Sequence, residues 1–193
     1  MDKNFEKELP EGYREAYSID AKNKKTALIM SLGAFLITAA LCVASWLIVR
    51  PYEQSPDHLI ARYLILLVAL AAYIILHELV HGLAYKLLTG QKLTFGITFS
   101  AAYCGVPDIF VYRKTALISL LAPFTVFSIL FIALALILKD PWDRFAALIV
   151  FAIHAGGCIG DLYDTFLYLF KFRDPRTLMR DTGPKQTFWL PEG

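Results

Sequence analysis

The sequence predicts an all-α polytopic membrane protein: four transmembrane helices, with a small β-hairpin or extended insertion between helices two and three. Three observations predict it. Residues 27–49 and 115–138 contain no Asp, Glu, Lys or Arg, and each exceeds the roughly 20 apolar residues that cross a bilayer core. Two further segments, 62–88 and 145–170, are as long and apolar but carry ionisable residues inside. Lys and Arg are also shared unequally between the ends of these segments. The chain of 193 residues is 57% hydrophobic with a mean hydropathy of +0.52, above the roughly 45–50% apolar content of soluble domains. One membrane domain, 1–193, accounts for its length.

Residues 1–26 are polar and charged and are expected to form a partly ordered cytoplasmic tail with no cleavable signal peptide. The first span, 27–49, leads to a short external loop, RPYEQSPDH (50–58). The second span, 62–88, is followed by an insertion, 90–113. Its start, KLTFGITF, places Leu93, Phe95, Ile97 and Phe99 on one face, which is strand periodicity. A turn-like Cys104-Gly105-Val106-Pro107 then precedes β-forming IFVYR at 109–113. These runs are expected to pair as a hairpin against the cytoplasmic half of the bundle. The third span, 115–138, joins the fourth, 145–170, through KDPWDR, and 171–193 forms a second tail. Cys42, Cys104 and Cys158 show no ligand-like spacing and read as small packing residues.

Charge sets the threading. Fifteen of the Lys and Arg residues lie in the N-terminal tail, the insertion with the ends that flank it, and the C-terminal tail. Four, Arg50, Arg62, Lys139 and Arg144, lie on the other side. Both termini are therefore expected in the cytoplasm, with the protein multi-pass in the cell membrane.

The second span carries the chemistry. YIILHELVHGLAY (73–85) sets His77 and His81 four apart with Glu78 beside them. Residues four apart share a helix face, so two imidazoles can hold one Zn²⁺ while the glutamate acts as general base. Ionisable residues are costly at mid-bilayer, which favours a functional reading. A zinc site needs a third protein ligand, and only the fourth span offers candidates: His154, Asp161 and Asp164. Counted inward from Arg62, the histidines lie roughly 22–29 Å deep. Counted from Phe145, Asp161 lies roughly 24 Å deep and His154 about 14 Å. Depth alone leaves Asp164 open as third ligand or accessory; Gly156, Gly157 and Gly160, small residues that let helices approach closely, favour Asp161 as the expected ligand. His154 is expected either to pack or to donate to a substrate carbonyl.

His77-Glu78-x-x-His81 on a transmembrane helix, with Asp161 two spans later and Ala122-Pro123 between, resembles the site-2 protease group of intramembrane metallopeptidases. More closely it resembles a mostly bacterial zincin-peptidase family. The resemblance covers about residues 60–170 and places the site nearer the cytoplasmic face. Gly160 precedes Asp161 here, whereas in the group Gly follows the aspartate. The implied function is an intramembrane zinc metalloendopeptidase holding one Zn²⁺, with a membrane protein or peptide as substrate and the bilayer as its medium. Phe95, Ile97 and Phe99 are the expected substrate-binding face. The alternative is a metal-binding transporter or sensor without peptidase activity. No nucleic-acid partner is expected, and the oligomeric state is open.

Overall fold

A computed structural model describes residues 3–51, 58–98 and 101–192. Three helices are long and apolar enough to cross a membrane: α1 (Lys24–Val49), α2 (Leu59–Thr89) and α3 (Arg113–Ile137). Their outward faces are apolar, with Ile48, Ile60 and Leu136 each more than three-quarters exposed. Asn23 caps α1 by accepting from the N–H groups of Lys25 and Thr26. Gly90 ends α2 at φ 68°, where a side chain would be strained.

The segment expected as a single fourth span is two helices. α4 (Pro141–Gly157) and α5 (Ile159–Phe170) meet at Cys158 with a bend of 51°, so the pair is at most one broken span. Gly156, Gly157 and Gly160 surround the break, and each weakens helical continuity by up to about 1 kcal/mol relative to Ala. Gly156 is also fixed by packing. A β-carbon there would strike Thr38 and the Ala34 carbonyl of α1, and Thr38 donates to the Ala152 carbonyl across the same contact, at 3.2 Å.

The second departure from an all-α reading lies in the tails. β1 (Phe5–Glu6), β2 (Tyr13–Asp20), β5 (Phe110–Tyr112), β6 (Leu178–Asp181) and β7 (Lys185–Pro191) form an antiparallel sheet in the order β1-β5-β6-β7-β2. Between α2 and α3, β3 (Thr94–Ile97) pairs with β4 (Ala102–Gly105). The insertion therefore pairs differently from expectation: IFVYR does not pair with KLTFGITF, because Val111 is taken by Phe5 and Met179. Val111, Met179, Phe188, Tyr168 and Phe172 form one buried cluster joining this sheet to α5.

Connectivity gathers both sheets at one end of the helices, the end where α1 and α3 begin and α2 and α5 finish. At the opposite end, Arg62 bridges Asp140 at 2.7 Å and Asp143 at 3.0 Å, tying the start of α2 to the start of α4. This guanidinium holds the partly exposed Asp140 carboxyl down at about 2. Of the expected loop 50–58, residues 52–57 lie outside the described residues.

Candidate metal centre

The face of α2 that turns inward is written at a spacing of four: Tyr73, His77, His81 and Tyr85 are all buried. His81 lies eight residues, roughly 12 Å, from the end of α2 that leads into the sheets. Across from the histidines, the bend at Cys158 sets Asp161 in the first turn of α5. His77 Nε2 and His81 Nε2 lie 3.5 and 3.3 Å from the same atom, Asp161 Oδ2. Donors about 2.0–2.1 Å from a tetrahedral zinc are separated by about 3.3 Å. Two imidazole nitrogens and a carboxylate oxygen at this spacing fit a zinc ion, and all three donors lie within 4.8 Å of one another.

Hydrogen bonds fix which nitrogen of each ring stays free. His81 Nδ1 lies 2.8 Å from the Ser119 carbonyl, and a carbonyl only accepts, so Nδ1 carries the proton and Nε2 keeps its lone pair. The reason that carbonyl is available is Pro123, inside α3. Proline has no N–H to return to the carbonyl four residues earlier, and His81 takes the orphaned acceptor. His77 is set through a longer chain. His154, fully buried on α4, lies 3.3 Å through Nε2 from the Phe124 carbonyl and 3.2 Å from Ser128 Oγ. Its Nε2 is therefore protonated and its Nδ1 accepts from Tyr73 Oη, 2.9 Å away. The Tyr73 proton being spent there, its oxygen accepts from His77 Nδ1–H at 3.1 Å. His77 Nε2 is thereby left bare toward Asp161. Tyr73→Phe is expected to weaken zinc affinity about 10–100-fold, the usual effect of removing a group that orients a ligand. Competition against a calibrated chelator measures it.

The structure thus places His154 otherwise than a straight fourth span would. Depth counting set it a turn or more outside the histidine pair, yet its ring centroid is 6.3 Å from that of His77. With His77 and Cys158 it makes a second group whose donors lie within 4.8 Å, but the Tyr73 hydroxyl bridges the two rings there. Asp164 is not part of either group. It is buried, one turn beyond Asp161, and borders a cavity of about 240 Å³ that also reaches His77, Glu78, His81 and Asp161.

The hairpin borders this cavity through β4, with Ala102, Tyr103 and Cys104 in its wall. Phe95 and Ile97 are not in that wall. Phe95 packs against Gly82, where any β-carbon would meet its ring. Ile97 is 85% exposed, and Phe99 lies outside the described residues. The β6–β7 turn closes the floor. Asp181 accepts from Tyr85 Oη at 2.8 Å, from the Gly183 N–H at 2.8 Å and from Gln186 Nε2 at 3.2 Å. Burial pushes its carboxyl up to about 6 against the pull of these donors. Sequence reasoning missed Tyr73, Tyr85 and Asp181. The signal for the two tyrosines was their spacing of four from the histidines.

No curated protein and no solved structure matches the chain. Residues 70–175, more than half of it, match the family described as "Putative zincin peptidase". That stretch holds the paired histidines with their glutamate, the proline-bearing α3 and the bent helix with Asp161. The chain belongs to this zincin-peptidase family, whose chemistry implies zinc.

Proposed function

We propose that this protein is an intramembrane zinc endopeptidase of the site-2 protease kind, holding one ion through His77, His81 and Asp161. The observation that carries the reading is the convergence of two imidazoles from α2 and one carboxylate from α5 on donor spacings suited to zinc. When bound, such an ion makes water acidic enough to attack near neutral pH and polarises the scissile carbonyl. Glu78, on the same cavity and next in sequence to His77, accepts the proton of the attacking water and returns it to the leaving amine. Tyr73, His154 and the Ser119 carbonyl keep both ligand nitrogens aimed.

The substrate is a membrane-associated protein. A helical substrate hides its carbonyls in its own hydrogen bonds and must be extended before attack. β4 borders the cavity and pairs with no strand on its outer side among the described residues, so a substrate strand added there would lie beside the site. The excess of Lys and Arg on the sheet-bearing end supports a threading with that end, both termini and the cavity on the cytoplasmic side of the cell membrane. The experiment compares membrane proteomes of cells producing the wild type and Glu78→Gln. Substrates are expected to accumulate uncut with the variant, and identical proteomes would contradict the reading.

A further inference from the structure

Four carboxyl groups border the cavity, those of Glu78, Asp161, Asp164 and Asp181, and its lining includes no Lys or Arg among the described residues. One divalent ion at His77, His81 and Asp161 would engage Asp161, with Glu78 beside it, and leave Asp164 and Asp181 unengaged.

The remaining pair differ in their surroundings. Asp181 has three donors fixed on it, from Tyr85, Gly183 and Gln186. Asp164 has none: it is 4% exposed, and no hydrogen bond or ion pair joins it to a described residue. Asp161 and Asp181, the ionisable groups near enough to act on it, are both carboxyls. Its neighbour Tyr163 is engaged elsewhere, with Tyr17 at 3.2 Å. A buried carboxyl that borders open space and lacks any partner carries its charge only when a cation comes to lie beside it. That cation must enter by the cavity.

We propose that Asp164, together with Asp181, forms a subsite for a cationic group of the substrate: a Lys ammonium, an Arg guanidinium or a free chain-terminal amine. The inference rests on the peptidase reading and narrows it to a substrate class. Asp164 lies three residues beyond Asp161 on α5, a rise of roughly 4.5 Å. An extended substrate advances roughly 3.3 Å per residue, so the cation sits about one or two residues from the bond under attack.

The test uses the full chain in detergent micelles, zinc-loaded and carrying Glu78→Gln so that nothing is cut. Fluorescence anisotropy measures binding of N-acetylated peptides that differ only in one residue, Lys, Arg or norleucine, moved along the sequence. A norleucine peptide with a free N-terminus forms a separate arm. Lys or Arg at one position, or the free terminus, is expected to tighten binding at least ten-fold. Adding Asp164→Asn is expected to abolish that difference while zinc content is retained. Equal affinity for all the peptides, or a preference that survives Asp164→Asn, would overturn the subsite. The two readings fail separately. Wild type that binds Lys peptides selectively but cuts none contradicts the peptidase, whereas cutting without a cationic preference contradicts the subsite alone.

Discussion

His81→Ala is expected to strip the protein of zinc. Zinc in protein sites is bound by roughly 10–16 kcal/mol, and removing one of three ligands takes about a third of that, around 4 kcal/mol. This corresponds to about a thousand-fold loss of affinity. His77→Ala and Asp161→Asn are expected to act alike, because all three donors meet at one point: Asp161 Oδ2 stands 3.5 Å from one ring nitrogen and 3.3 Å from the other. Metal analysis of the purified variants checks it. Asp164→Asn provides the contrast, since Asp164 lies outside the ligand group, and it should purify with zinc at the wild-type level.

Glu78→Gln is expected to do the opposite, keeping zinc and losing turnover. Glu78 shares the cavity with the ligands but is not one of the three donors that converge. Glutamine keeps the shape and cannot take a proton. A positioned general base contributes about 10²–10⁴-fold, so single-turnover cleavage should fall by that factor at unchanged metal content. The same variant separates the peptidase from a metal transporter, which has no proton to abstract. Metal uptake into vesicles that persists in Glu78→Gln, with no cleavage by the wild type, would favour transport.

Most of the candidate centre was legible because helical periodicity is local. His77, Glu78 and His81 announce one face of one helix, and the charge-free segments announce their burial in lipid or protein. Less was legible wherever two distant segments had to meet. β2 pairs with β7 from Tyr13↔Pro191 to Asp20↔Lys185, and nothing in the eight residues of β2, within a charged tail, points to a partner so far along the chain. The bend at Cys158 lies between. Gly156, Gly157 and Gly160 invited a reading of close helix packing, which holds for Gly156 against α1, but their cost to helical continuity broke the span as well. Counting depth along a straight helix then misplaced His154. Pro123 carried a message that went unread: it frees the Ser119 carbonyl, and that carbonyl fixes the tautomer of His81.

The central claim can be measured at the metal itself. Zinc-edge X-ray absorption of the loaded, full-length protein is expected to show a first shell of nitrogen and oxygen only, at about 2.0–2.2 Å, with the scattering signature of two imidazoles. A sulfur at about 2.3 Å would place the ion with Cys158, His154 and His77 instead, and the catalytic account built on Asp161 would be wrong.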